Sequence, residues 1–316
     1  MQQYIARRLL FGVIVFWIVG VFIFFLVRFL PGDAVYMLMG EDVTADPKAI
    51  AAVRKQLGLD KPIHEQFFAW AGGVFKGDLG SSLRTGEPAV QRILGRLPVT
   101  FELMALAMVF GILIAIPVGV LSAIRQDSAL DNTLRVVSIT LLAMPAFWIG
   151  TMLLVFPSIW FQWVPPLGFT NFWQNPGDNL LQVAFPVFVL ATHLSVSMMR
   201  MMRSSLLEVF RQDYIRTAFA KGLKEAVVVG RHALKNALIP VVTLAGLSVG
   251  RLLGGTVILE SIFSIPGVGR LFLEAVTNRD YTQVQAIILF YALIFVVMNL
   301  IVDIMYAWLD PRIKYR

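Results

Sequence analysis

The chain has 316 residues, 58% of them hydrophobic and 15% charged, with no cysteine and a formal net charge of +7. Its mean hydropathy of +0.74 lies above the globular range, and the apolar residues fall in blocks of about twenty, the length that crosses a bilayer. This implies a polytopic membrane protein; it excludes disulfides and thiolate metal sites, and the scattered His64, His193 and His232 offer no obvious metal cluster or His-based catalytic group.

Arg7 and Arg8 precede an apolar run from Leu9 to Leu30, with Arg28 placed to snorkel near its far end. The run is too long for a signal peptide and Phe29, Leu30 and Pro31 do not resemble a small-residue cleavage site, so it reads as span 1 with a cytoplasmic N-terminus. Residues 31–97 form the only large non-spanning block. Asp46 as N-cap, Pro47 at the first position and Gly58 as stop define one helix there, with Ile50, Val53 and Leu57 on its apolar face. A second helix begins at Pro62 and fades near Gly72 and Gly73, a third runs from Pro88 towards Arg96, and GDLGSSLRTG at 77–86 reads as loop.

Five further spans follow, at about Val99–Ile124, Val136–Phe156, Val183–Met199, Ala237–Leu259 and Val284–Trp308, with Pro117, Pro145 and Pro186 interrupting or edging three of them. Six spans put both termini on one side. The segments then assigned to the cytoplasm carry Arg7 and Arg8, Arg125 and Arg135, eight Lys and Arg between Arg200 and Lys235, and Arg312, Lys314 and Arg316. These fifteen face six acids, Asp127, Asp131, Glu208, Asp213, Glu225 and Asp310. That excess is larger than the charge of the whole chain, so the basic balance belongs to the inner face and gives nucleic-acid binding no separate support. With no internal repeat or flexible linker, residues 1–316 read as one transmembrane domain, with 31–97 as an extracytoplasmic helical insertion between spans 1 and 2.

The cytoplasmic loop at 204–236 is long for a connection between neighbouring spans, and it is patterned. Asp213 can cap a short helix from Tyr214 to Lys221, and Gly222 followed by Leu223 supplies a glycine stop with a hydrophobic residue beyond it. The helix mixes large Tyr214 and Phe219, charged Arg216 and Lys221, and small Ala218 and Ala220. Alone it would be marginal, so it needs a packing partner. From Glu225 the apolar pattern of Val228, Val229, Ala233 and Leu234 continues into span 5, where Pro240 allows a kink. The segment is either a solvated basic loop or a docking element for a cytoplasmic protein.

These residues carry a family resemblance. DYIRTAFAKG at 213–222 and RHALKNALIP at 231–240 resemble the EAA stretch in membrane subunits of binding-protein-dependent ABC importers. Arg216, Thr217 and Ala218 hold the Glu-Ala-Ala positions and Gly222 is in register. Arginine replaces the usual glutamate, and the Pro240 end lies several residues farther on, as in the dipeptide, oligopeptide and nickel branch. LPGD at 30–33, QLGLDKP at 56–62, GDLGSS at 77–82, ESIFSIPGVG at 260–269, NRDY at 278–281 and NLIVDIMYAWLDPRIKYR at the end extend the resemblance over nearly the whole chain.

The resemblance implies the all-α type I importer permease fold. It also implies that Tyr214, Arg216, Thr217, Ala218, Phe219, Lys221, Gly222 and Leu223 form a coupling helix in a cleft of an ATPase subunit. The partners it implies are a second homologous permease, two ABC ATPases, an extracytoplasmic solute-binding protein and a peptide substrate, in a bacterial or archaeal cytoplasmic membrane. No G-x-x-x-x-G-K-[ST] sequence occurs, so ATP and Mg are expected on the partner ATPases and no cofactor on this chain. A membrane hydrolase has no nucleophile elbow or zinc signature to support it.

Other residues have two readings each. Gly246, Gly250 and Gly254 recur on one face of span 5, as internal packing or as a seam against a partner at the pathway. Arg251 beside them faces the pathway or an internal ion pair. Glu102 and Asp303 are structural pairs or proton-relay carboxylates, His193 reads as a hydrogen-bonded core residue, and the methionines at 198, 199, 201 and 202 as adaptable packing. Phe263, Pro266 and Gly267, on an outer loop, either pack against residues 31–97 or meet the solute receptor. The expectation is an ATP-driven peptide permease that is not itself an enzyme. Nickel, glutathione or oligosaccharide are the alternative cargoes, and a proton-coupled transporter using Asp303, Glu102 and Arg251, or a membrane scaffold, the alternatives of other classes.

Overall fold

A computed structural model describes residues 2–29, 47–56, 58–166 and 168–309. The Asp46 cap, the LPGD segment and the C-terminal tail from residue 310 lie outside the described residues. The rest is helical apart from turns and one isolated bridge between Ser81 and Pro88. In chain order the helices are α1 (Gln2–Phe29), α2 (Pro47–Gln56), α3 (Ile63–Phe75), α4 (Ala89–Ile124), α5 (Ala129–Ala143), α6 (Ala146–Phe161), α7 (Pro176–Phe210) and α8 (Asp213–Ala220). They continue with α9 (Glu225–Ile262), α10 (Val268–Thr277) and α11 (Tyr281–Leu309). Five of these helices are long and apolar enough to cross a membrane, and α5 with α6 makes a sixth, broken span.

The structure departs from the sequence pattern in two places, each for a local reason. The third external helix and span 2 are one helix, α4, which runs on through Gly95 and Pro98. Span 3 is not continuous: α5 and α6 meet at 93°. Pro145 has no N–H to continue the ladder and holds Met144 in extended backbone, ψ 125°. Elsewhere the caps are ordinary, with Ser128 accepting from the Asp131 N–H and Asn175 from the N–H groups of Gly177 and Asp178.

Two compact units divide the chain, one of residues 1–98 with 266–297 and one of 99–265 with 298–316. In the first, Ala89, Ile93, Val268, Leu271, Ala286 and Ile287 form a buried cluster, and Ile23, Val27 and Leu289 another. A polar clasp closes it: the Asp280 carboxylate accepts from the Ser82 hydroxyl and from the Leu83 N–H at 3.1 Å, with Arg92 3.8 Å away. In the second unit α7 is the central helix, buried along most of its length, and Val183 and Val187 pack with Val99, Leu103 and Ile265. Buried Glu260 accepts from Thr100 Oγ1 at 2.8 Å across the same unit.

Close approach to α7 depends on glycine. A Cβ on Gly119 of α4 would stand 2.9 Å from the Met199 carbonyl oxygen and 2.7 Å from Met202 Cβ, so it would press on backbone that cannot move aside. A Cβ on Gly95 of the same helix would meet nothing within 4 Å. Gly119→Ala is therefore expected to cost about 1–3 kcal/mol by overpacking, whereas Gly95→Ala should be neutral or up to ~1 kcal/mol stabilising through helix propensity. Thermal unfolding of the two variants in detergent, followed by tryptophan fluorescence, distinguishes them; equal midpoints would contradict the packing.

Candidate functional site

The 204–236 loop folds as a short helix clipped to the end of the central one. After α7 ends at Phe210, Arg211 and Gln212 turn the chain and α8 follows. The cap position is Gln212, without a side-chain cap bond, and Asp213, expected to cap, is instead the first helical residue. Its carbonyl accepts from Thr217 Oγ1 at 2.9 Å, and its carboxylate lies 3.6 Å from Arg216. Both partners of that ion pair are exposed, so it contributes a few tenths of a kcal/mol, on the order of other surface helix pairs.

Spacing divides α8 into two faces. Ile215, 1% exposed, and Ala218 turn inward, while Tyr214, Arg216, Thr217 and Phe219 face out, joined by Lys221 and Leu223 just beyond. Gly222 ends the helix at φ +77°, a conformation a β-carbon disfavours. Its N–H donates to the Phe219 carbonyl at 2.9 Å and the Leu223 N–H to the Ala218 carbonyl at 3.4 Å, the paired bonds of a glycine C-terminal motif. On its inner side α8 packs on a π-helical turn, Val228–Ala233, whose Val228, Val229 and Ala233 are buried. The Asn236 amide donates to the Tyr214 hydroxyl at 2.8 Å, tying α8 to the first turns of α9 beyond that π turn. Such turns carry one extra residue and often mark functional positions in helices.

Asp131 and Arg203 are the residues that sequence reasoning missed, having entered only as loop charges. Asp131 is fully buried where α4, α5 and α7 meet. Its carboxylate accepts from Arg203 Nε at 2.9 Å and a second guanidinium nitrogen at 2.6 Å, from the Asp127 N–H at 3.0 Å and from the Ser122 hydroxyl. A readable signal was present, because Ser128-x-x-Asp131 has the spacing of a capping box. Farther along, the Ser138 hydroxyl contacts Met199 Sδ at 3.6 Å, and His193 Nε2 lies 3.1 Å from the Met144 carbonyl that the proline break leaves without a helical donor. Thus α5 is fixed along α7 at three levels, 131 to 203, 138 to 199 and 144 to 193. The His193 ring also contacts the Val189 carbonyl at 3.1 Å, as a hydrogen-bonded interior histidine would.

The glycine seam on α9 separates into two roles. A Cβ on Gly246 would collide with Val302 at 2.1 Å, so Gly246 serves packing inside the unit, whereas one on Gly254 would meet nothing within 4 Å; Gly250 is half-buried. Beyond Pro240 the exposed positions of α9 are Leu247, Arg251, Gly254, Ile258 and Ser261, alternately four and three residues apart, which makes one stripe. Arg251 stands in that stripe, and no ion pair joins it to an acid among the described residues. Glu102 is half-buried with one carboxylate oxygen lacking a partner among the described residues, and Asp303 is half-buried.

The outer loop is largely packed inward. Phe263 packs on the cluster of Ile265, Val183 and Val187 and lines a cavity of about 200 Å³ with Gln182 and Pro165. Gly267 is buried and Pro266 half-buried, and the following Val268 joins Ala89 and Ile93, so the apolar content of this loop is absorbed within the chain. Among the described residues no group of three or more His, Asp or Glu could hold a metal ion.

Five or six apolar spans, with a short helix between two of them that buries one face and exposes the other, define a polytopic membrane protein. The chain belongs to the family of binding-protein-dependent transport system inner membrane components, which residues 115–315 match, and residues 1–104 match the N-terminal family of the same systems. It is 38% identical over both full lengths to a probable peptide ABC transporter permease of Sinorhizobium fredii. Over the same full coverage it is 39% identical to an oligopeptide transport system permease of Bacillus subtilis and 37% identical to a glutathione transport system permease of Salmonella typhimurium. Among solved structures, an amino acid ABC transporter with histidines shares the fold, with TM-score 0.52 and 14% identity, over 69% of this chain and 94% of that one. The protein is thus a non-catalytic permease subunit of a transporter whose ATP hydrolysis resides in separate subunits.

Removing Asp131 would leave the Arg203 guanidinium half-buried without its carboxylate. Asp131→Ala is expected to cost about 3–5 kcal/mol, as for other broken buried pairs, and Asp131→Asn less, since the amide oxygen can still accept from Ser122 and Arg203. Unfolding midpoints in detergent check this order; a reversal would show that the pair does not hold these helices.

Proposed function

We propose that this chain is one of two homologous permease subunits of an importer in a bacterial or archaeal cytoplasmic membrane. In this reading two ABC ATPases, holding ATP and Mg, work on the cytoplasmic side with both chain termini, and an extracytoplasmic solute-binding protein delivers di- or oligopeptides. The observation that carries it is α8, a helix whose inner face is fixed to the moving spans and whose outer face, from Tyr214 to Leu223, is free to be held by another protein. The peptide cargo is supported by the names of full-length relatives in two organisms. Glutathione is the second reading, favoured by the 37% identical relative, and is itself a modified tripeptide.

Closure of the ATPases around nucleotide draws the two coupling helices together. Because α8 is continuous with α7 on one side and reaches α9 through the π turn on the other, the displacement reaches two spans at once. Outward access is then favoured by differential contacts with the ATPase in its two states, and nucleotide release restores inward access. Arg251, on the exposed stripe of α9, is assigned to the seam with the second permease and the pathway it encloses. Phe263, Pro266 and Gly267 are assigned to the loop that meets the receptor on the outer side, and their partial to full burial supports a loop of fixed shape.

Phe219→Glu changes only an exposed side chain, and Gly222→Pro removes both the positive φ and the N–H that end the helix. In proteoliposomes containing the assembled transporter, both should abolish receptor-stimulated ATPase and uptake, with membrane insertion retained. Full stimulation in the Phe219 variant would remove α8 from the ATPase contact, and uptake driven by a pH gradient without ATPase subunits would overturn the ABC mechanism.

A further inference from the structure

The stretch from Gln66 to Phe75 carries no charge, although Lys61, His64 and Glu65 precede it and Lys76 and Asp78 follow. Its helix, α3, descends along α1 in a ladder of contacts. Arg28 Nε donates to Gln66 Oε1 at 3.1 Å. The Phe67 ring lies 5.1 Å from Phe24 and stacks 6.2 Å from Phe25. Trp70 lies 5.3 Å from Phe24, with its ring edge 3.4 Å from where a Gly20 Cβ would be, and Phe75 lies 4.7 Å from Trp17. As numbering rises on α3 it falls on α1, so the two helices are antiparallel and side by side over about 14 Å, at 1.5 Å per residue.

The depth of this ladder follows from α1 itself. Arg7 and Arg8 bracket its apolar span at one end and Arg28 at the other, a separation of about 30 Å, which matches the hydrocarbon thickness of a bilayer. Trp17 stands midway between them. A helix that begins beside Arg28 and ends beside Trp17 therefore lies within the outer half of the membrane. We propose that α3 is a re-entrant element of the permease, packed on α1 from the outer surface to mid-depth, and that its outward face meets lipid acyl chains.

Three further features agree. Phe68, which has no ring contact with α1, is 70% exposed, Phe75 is 75% exposed although one side of its ring meets Trp17, and Gly72 between them is open to space. Large aromatics at such exposure are ill placed in water and well placed in hydrocarbon. They continue the outward apolar surface of α1 itself, where Ile18 and Phe22 are similarly exposed. The turn below keeps its backbone bonds internal, as a bilayer requires: the N–H groups of Lys76 and Asp78 donate to the Gly73 carbonyl and that of Gly77 to Val74, with Gly77 at φ +78°. From there the chain climbs back, Leu79 packing beside Ile23, Val27 and Leu289 and Ser82 reaching Asp280 at the outer start of α11. Lys76 and Asp78, the charged tip, belong on a water-lined side of this hairpin.

Because the chain has no cysteine, single cysteines can be placed without removing others. Spin labels at Phe68→Cys and Phe75→Cys, with Thr85→Cys as an exposed external reference, are measured in the assembled transporter in lipid nanodiscs against oxygen and a water-soluble nickel chelate. Gly72→Cys, which adds a side chain into open space, serves if a phenylalanine variant fails to assemble. Labels at 68, 72 and 75 are expected to collide with oxygen several-fold more than with the chelate, at greater depth for 75 than for 68, and the label at 85 to show the reverse. Chelate access at 68 and 75 would make α3 an external soluble helix, and protection from both reagents would make it a protein interface. Either result, or equal depth at the two positions, overturns the proposal.

Discussion

The buried carboxylate of Asp131 is the interaction on which the junction of α4, α5 and α7 depends. It joins the end of α4, the start of α5 and the lower part of α7 by direct bonds to Ser122, the Asp127 backbone and Arg203. A charge in this position is costly unless every lone pair has a donor. Here four donors converge, two of them on a rigid guanidinium fork, so the geometry rather than mere proximity fixes the three helices together. With Ser138 against Met199 and His193 against Met144, α5 is bound to α7 as one body.

That binding explains why the break at Pro145 is sharp without being loose. Proline removes a donor from the ladder, and a backbone carbonyl left bare in an apolar interior costs free energy comparable to a lost hydrogen bond. His193 supplies a ring nitrogen to the Met144 carbonyl and so holds the bend from the neighbouring helix. Beyond it α6 leaves at 93° and packs through Gly150 close to Leu259 and Phe263 of the outer end of this unit. α7 with α5 is thus a stiff pair, and the change of direction comes at a single peptide junction.

The spans and the short helix α8 were legible in the sequence because each is set by local chemistry. Apolar blocks of bilayer length need no partner to be recognised, and Gly222 is the residue type that ends a helix at positive φ with Leu223 beyond it. The Asp131 to Arg203 pair was not legible, since nothing local links residues 72 positions apart. The glycine repeat on α9 left two readings open. Periodicity placed Gly246 and Gly254 on related faces, but only packing showed that Val302 occupies the first and nothing occupies the second. Proline was read correctly as an interruption at 145, while the contact of the bend with a histidine 48 positions away in another helix was not legible.

The two sides of α9 have opposite requirements, and its sequence meets both. The helix packs on α7 and α6, and Val241, Ala245, Ser248, Val249, Leu252 and Thr256, small and medium residues that allow close packing, are buried. Leu247, Arg251, Gly254, Ile258 and Ser261 stand exposed among the described residues. An arginine on a lipid-facing stripe would be expensive at mid-helix, whereas water or protein can solvate it. The placement of Arg251 therefore argues that this stripe is turned from lipid in the assembled transporter. The same helix also reaches α8 through the π turn, where Asn236 holds Tyr214. One element thus holds α8 at one end and an exposed arginine farther along, so the π turn and Arg251 belong to the same helix.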